Sequence, residues 1–132
     1  MRMLDVSVAA HGPTQDYAAV TVDGHPNHQG QAQLIAIHSI FHSQVATGFE
    51  VIGGATAMLL GDSSCYGCGQ CGLCVLDEGS LLVVHNSSIC DSECNVEVSD
   101  GGRAEIVASR LDGATVGPGL GVHCGSSAVA VD

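Results

Sequence analysis

Five short apolar segments return along this chain at nearly constant spacing: Ala32-Gln33-Leu34-Ile35-Ala36, Ala57-Met58-Leu59-Leu60-Gly61, Leu82-Val83-Val84-His85-Asn86, Ala104-Glu105-Ile106-Val107-Ala108 and Ala128-Val129-Ala130-Val131-Asp132. Their first residues stand at 32, 57, 82, 104 and 128, so the steps are 25, 25, 22 and 24 residues. Such a period constrains the fold more than any motif does, because a unit this short cannot bury its own apolar face and must lean on the next copy. Stacked repeats, rather than elements wrapped around one central core, are therefore expected.

A second set of alternating segments runs beside the first: Ala19-Val20-Thr21-Val22, Gly48-Phe49-Glu50-Val51, Leu73-Cys74-Val75-Leu76, Val96-Glu97-Val98-Ser99 and Gly121-Val122-His123-Cys124. The anchors Val20, Phe49, Leu73, Val96 and Val122 step by 29, 24, 23 and 26 residues. Each repeat thus carries one strand of each kind, with alternate side chains facing opposite ways. Ile52-Gly53-Gly54, Asp77-Glu78-Gly79-Ser80, Ser99-Asp100-Gly101-Gly102 and Gly125-Ser126-Ser127 separate the paired strands. Gly supplies positive φ for a tight bend, and Asp and Ser bond the turn's own backbone, so these are corners. With 45 % hydrophobic residues but only 3 % aromatic and no Trp, the interior must be narrow and built of Val, Ile, Leu and Ala. Stacking places Val75 between Val51 and Val98, and Val84 between Leu59 and Ile106. Thr21, Glu50, Cys74, Glu97 and His123 then face outward.

These paired strands, Gly-Asx corners and a looser third turn give the chain its likeness to a known family. Through Gly48-Phe49-Glu50-Val51, Asn95-Val96-Glu97-Val98 followed by Asp100-Gly101-Gly102, and Gly121-Val122-His123-Cys124, residues 18 to 132 resemble the right-handed parallel β-helix, pectin-lyase-like solenoids. The resemblance implies an all-β, right-handed parallel β-helix solenoid of about five coils of 22–29 residues, with residues 1–132 forming a single segment. It implies no activity, since the family includes polysaccharide lyases, epimerases, tailspikes and non-catalytic interaction modules. Val8 of Val6-Ser7-Val8 lies 24 residues ahead of Ala32, as a strand of a preceding coil would, and Asp132 follows directly on another strand. No amphipathic capping helix is evident at either end. The expectation is an incomplete, uncapped piece of a longer solenoid, or a chain whose ends are covered by self-association.

Arg2, Arg103 and Arg110 are the only Lys or Arg residues, and against 14 acids they leave a net charge of −11. Nothing here neutralises a row of phosphates, which excludes nucleic acid and anionic membrane surfaces as partners and leaves cations or neutral sugars open. No apolar run approaches the roughly 18 residues of a membrane span, and Met1-Arg2-Met3-Leu4-Asp5 sets an acid where a signal peptide needs its apolar stretch. Neither a signal peptide nor a transmembrane segment is expected. The compartment stays open.

Seven Cys occur, and Cys65, Cys68, Cys71 and Cys74 form a C-x2-C-x2-C-x2-C run. It is similar to the C-x2-C-x2-C-x3-C-P run of iron–sulfur sites, but its last gap is one residue short and no Pro follows. Leu73 belongs to a strand, which sets Cys74 on the solvated face, apart from the others. The repeat suggests a different set: the step from Leu73 to Val96 lays Cys94 over Cys71 and brings Cys68 near Asp91. Cys68, Cys71, Cys90 and Cys94 then approximate the two-pair spacing of a zinc site. The alternatives are unliganded thiols and, in an oxidising compartment, a Cys71–Cys94 disulfide. Cys65 aligns with Ile40, Ile89 and Leu111, and Cys124 with Val51 and Val98, as packing residues.

Catalysis, if present, rests on acids. Catalytic residues of the resembled family line an outer groove along one sheet, where Glu50 and Glu97 share a register two coils apart. Two coils at about 4.8 Å separate their backbones by roughly 9.6 Å, near the roughly 6.5–9.5 Å of an inverting carboxylate pair. The family's lyase sites use Ca²⁺ on clustered Asp with an Arg or Lys, whereas Arg103 and Arg110 flank the other ladder with no such cluster. His38, His42, His85 and His123 are scattered. His25 and His28 occupy the insertion Gly24-His25-Pro26-Asn27-His28-Gln29-Gly30, a candidate contact loop. The sequence thus points to a non-catalytic β-helix scaffold for protein or carbohydrate interaction, without a cofactor. A fragment of a polysaccharide-active lyase, hydrolase or epimerase is the alternative, and a Cys-rich, zinc-stapled structural module the second.

Overall fold

A computed structural model describes residues 1–4, 7–10, 18–25, 32–123 and 125–131. Every described strand pairing is parallel, and the strands form three sheets that the chain visits in turn. The first sheet holds β1 (Arg2–Leu4), β4 (Gln33–Ile37), β7 (Thr56–Leu60), β10 (Leu81–His85), β13 (Arg103–Val107) and β16 (Ser127–Val131). The second holds β2 (Ser7–Ala10), β5 (Ile40–Ser43), β8 (Ser64–Tyr66), β11 (Ser88–Cys90) and β14 (Arg110–Asp112). The third holds β3 (Val20–Asp23), β6 (Phe49–Ile52), β9 (Cys71–Val75), β12 (Cys94–Val98) and β15 (Leu120–Val122). The fold is an all-β parallel solenoid.

It makes about four turns rather than about five. Four coils carry all three strands, from β3 to β14, and counting one coil for each first-sheet segment includes β16, whose coil has no described second-sheet strand. The looser turn of the sequence reading is a third short strand. Each of β8, β11 and β14 has only three residues with one inward side chain, Cys65, Ile89 or Leu111, too few for alternation to be visible.

Stacking follows the expected register in both ladders. Val51, Val75 and Val98 are aligned, as are Leu59, Val84 and Ile106. Two positions move. Phe41, not Ile40, shares the column of Cys65 and Ile89, so Ile40 faces out. Leu120, not Val122, sits against Val96, which puts Val122 beside Val98 and Gly121, not His123, in the outward column. Gly119-Leu120-Gly121-Val122 alternates in the right phase, so a two-residue slip preserves the inward pattern. Cys124 lies outside the described residues.

The core is a column of aliphatic side chains with Phe41 and Phe49 edge to face at 5.1 Å between ring centroids. Fully burying a side chain such as Leu59 stabilises by roughly 1.5–3 kcal/mol. In the first sheet the inward columns are Leu34, Ala57, Leu82, Ala104 and Ala36, Leu59, Val84, Ile106. Large thus sits beside small in most coils, an arrangement suited to filling a narrow interior.

Two corners are internally bonded. Between the third and first sheets the Gly53 N–H donates to Asp77 Oδ2 at 2.9 Å, and the Gly54 and Gly101 N–H groups to Ser80 and Ser126 hydroxyls at 3.0 and 3.1 Å. Between the first and second sheets a left-handed residue, His38, Asp62, Asn86 or Ala108, is followed each time by Ser39, Ser63, Ser87 or Ser109. The Ser39 N–H donates to Ser63 Oγ and the Ser87 N–H to Ser109 Oγ, both at 3.1 Å. The Ser63 hydroxyl in turn donates to the Leu60 carbonyl at 2.7 Å. Buried backbone groups at the bend are thereby satisfied by the neighbouring coil.

Candidate functional site

The outward column of the third sheet runs Thr21, Glu50, Cys74, Glu97, Gly121. Beside it Cys94 is the register partner of Cys71. Strict alternation would turn Cys71 inward with Leu73 and Val75. It is turned out because Gly72 also faces in: a Cβ on Gly72 would lie 2.8 Å from the core Ile89 side chain, and the equivalent Asn95 is fully buried. Two successive inward residues break the pleat at the strand's start. Cys71, Cys74 and Cys94 consequently line one groove with Glu50, Glu93 and Glu97, of ≈ 580 Å³.

One wall of the groove is the loop after β14. The N–H groups of Val116 and Gly117 both donate to the Glu93 carbonyl, at 3.2 and 2.7 Å, and hold Val116 and Gly117 over the groove's edge. Gly117 lies close to Cys94, since a Cβ on it would be 3.3 Å from Cys94 Cβ.

The groove's charges are unbalanced. Arg103 is engaged by Glu105 at 2.7 Å on the first sheet and Arg110 by Asp112 on the second, so neither serves the groove. Thr21 Oγ1 donates to Glu50 Oε2 at 3.2 Å, and the Cys71 thiol to Glu97 Oε2 at 3.1 Å. Burial, and then the hydrogen bond to Glu97, push the Cys71 thiol up. Burial, with the Glu97 and Glu50 charges behind it, pushes Cys74 up to about 12. Cys94 is raised chiefly by burial. These thiols are held protonated in a ring of carboxylates.

The four-cysteine run is cut in two as the chain passes from the second sheet to the third. Gly67, at φ 60, turns Cys68 inward, where its sulfur lies 3.8 Å from that of Cys65. Cys68 stacks on Ser92 rather than Asp91, its N–H donating to Ser92 Oγ at 3.2 Å. The hydrogen bond between the pair lowers the Cys68 thiol and raises that of Cys65, which burial raises further. A Cβ on Gly48 would fall 2.5 and 2.6 Å from these two sulfurs, so glycine there makes room for them.

Of the zinc set inferred from spacing, the structure brings Cys71 and Cys94 together and leaves the others elsewhere. Cys68 is in the core, and Cys90 pairs with Tyr66 on the second sheet. Among the described residues no three His, Cys, Asp or Glu side chains already converge as a metal-holding group. Cys71 and Cys94 stand as free thiols. Glu50 and Glu97 keep the expected register with Cys74 between them. His25 is bonded to Asp23 at 2.8 Å, and His28 lies outside the described residues. His42 stacks on Tyr66 at 5.2 Å. The residue that sequence reasoning set apart is Cys74. The same offset that lays Cys94 on Cys71 also lays Cys74 beside Glu97, and that signal was available.

Comparison of the chain with known protein families, with curated proteins and with solved structures gives no match. What the structure itself shows is a parallel β-solenoid.

Proposed function

We propose that this chain is a non-catalytic binding scaffold that offers its third-sheet groove to a carbohydrate or protein partner. The observation that carries the reading is the outward column of the third sheet, in which the polar side chains of Thr21, Glu50 and Glu97 stand in one register, with the buried Cys74 between the two acids. A ladder at about 4.8 Å per step is a rigid template for an extended ligand, and rigidity limits the ordering cost of binding. The acidic lining favours a neutral ligand with hydroxyl donors over a polyanion.

Against catalysis stand the two carboxylates. Glu50 and Glu97 are both half-buried, and each is already engaged by a neighbour, accepting a hydrogen bond from Thr21 and from the Cys71 thiol respectively. Arg103 and Arg110 are engaged on other sheets, so neither supplies positive charge at the groove.

The test is affinity electrophoresis against neutral and acidic polysaccharides, with product analysis of the same mixtures. Retardation by a neutral polysaccharide without new double bonds or reducing ends is the expected outcome. Released sugar or an unsaturated product overturns the non-catalytic reading, and absence of retardation across the panel leaves only the protein-partner form.

A further inference from the structure

One pair of sulfurs in the four-cysteine run is already in contact. Cys65 and Cys68 stand three residues apart, and on a straight strand they would face opposite sides of the sheet. The left-handed turn at Gly67, φ 60, follows the end of β8 and swings Cys68 inward, so that its sulfur rests 3.8 Å from that of Cys65. The bare backbone of Gly48 lies against both sulfurs, since a Cβ there would fall 2.5 and 2.6 Å from them. A disulfide holds its sulfurs about 2.05 Å apart, so the present contact is short of a bond by less than one bond length. Gly67, between the two residues, is free of the side chain that would resist the adjustment.

We propose that Cys65 and Cys68 form a reversible dithiol and disulfide couple, oxidised by hydroperoxides, that locks the turn between the second and third sheets. Burial sets the class of oxidant. Cys65 is fully buried and Cys68 is 3 % exposed, so the oxidant must be near water in size, and a bulky disulfide such as oxidised glutathione is shut out. Cys68 is flanked by the half-buried Gly67 and Gly69, which bring no side chains of their own.

The two thiols are unequal in the way such a couple needs. The hydrogen bond from Cys65, aided by the Ser43 backbone and the Ser92 side chain, outweighs burial and lowers Cys68 to about 6, while Cys65 is raised. The groove thiols Cys71, Cys74 and Cys94 are all raised, as is Cys90, so Cys68 is the one thiolate among the described cysteines near neutral pH. In the first step its sulfur attacks one peroxide oxygen: an S–O bond forms, the O–O bond breaks, and the second oxygen leaves as hydroxide, which takes up a proton to become water. In the second the Cys65 sulfur attacks that of Cys68, the S–S bond forms, and the hydroxyl leaves as water with the Cys65 proton. Two thiols are oxidised and one peroxide is reduced. The couple lies inside the solenoid and goes beyond the scaffold reading, so a polysaccharide panel that fails leaves it standing.

The experiment treats the reduced, folded full chain with hydrogen peroxide, then alkylates and reads the products by mass spectrometry. Loss of two hydrogens is expected, with Cys65 and Cys68 alone shielded from alkylation and dithiothreitol restoring both. Chymotryptic cleavage after Tyr66 supplies a check on the unaltered protein, because the flanking pieces stay joined only through this bond. The rate should rise up to about pH 6 and level above it, whereas an ordinary thiol keeps gaining toward about pH 8.5. Cys68→Ser, shown to be folded by far-UV circular dichroism, should lose the bond, and Cys71→Ser should keep it. Oxidation of Cys71 or Cys94 ahead of Cys68, an added oxygen that persists on Cys68, or equal oxidation by oxidised glutathione overturns the proposal.

Discussion

Cys74 shows how far a single side chain departs from what its strand position predicts. Alternation makes it an outward, solvated residue, yet Cys71, Cys94 and the loop carrying Val116 close around it until it is 8 % exposed. Burial, with the Glu97 and Glu50 charges behind it, pushes its folded pKa up to about 12, above the ordinary thiol range. A group whose pKa is raised on folding contributes stability in full below the unfolded value, and loses it as pH climbs from about 9 toward 12. Cys71 and Cys94 are raised as well and act in the same sense. Melting temperatures measured through this alkaline window should fall, and Cys74→Val, which fills similar space without titrating, should flatten the fall. A fall as steep in the variant as in the parent removes Cys74 from the account. The inward partners of Val51 and Leu59 were legible because aliphatic residues return at constant offsets. The outward turn of Cys71 was not, because it depends on Gly72 and Leu73 facing in together, a break in the pleat that no periodicity announces.

Among the elements, the corner between the first and second sheets is the one the sequence concealed. The Gly-Asx corners after β6, β9 and β12 were readable from residues with a known taste for turns. The serine corner was not, because Ser39, Ser63, Ser87 and Ser109 look like surface residues and the strands after them are too short to show a pattern. In the structure Ser39, Ser63 and Ser87 are buried and each passes a hydrogen bond to its own or a neighbouring coil. Ser63→Ala removes the acceptor of the buried Ser39 N–H, and leaving such a donor unsatisfied costs about 1–3 kcal/mol. Urea unfolding should show that loss as a lower midpoint with an unchanged slope. Cys65 repeats the lesson on the second sheet, where its alignment with Ile89 and Leu111 was found but its true partner Phe41 was one residue away from the expected Ile40.

On the scale of the molecule, stacking concentrates like charge. A net charge of −11 over 132 residues repels itself, and in-register strands carry acids such as Glu50 and Glu97 in one column. The Debye length falls from roughly 30 Å at 0.01 M salt to about 10 Å at 0.1 M. Raising NaCl across that range should therefore raise the melting temperature. A melting temperature that stays level or drops would show that ion pairs such as Arg103 with Glu105 outweigh the repulsion. The two inward columns of the first sheet have a further consequence. Their backbone repeats every coil, but the column Leu34, Ala57, Leu82, Ala104 alternates with a period of two until Ala128 stacks on Ala104. A nascent strand that docked one level too far would set Leu34 on Leu82 and leave Ala57 over Ala104. The stack thus carries a parity check against misthreading, written in side-chain volume and invisible to the backbone hydrogen bonds that would accept either alignment.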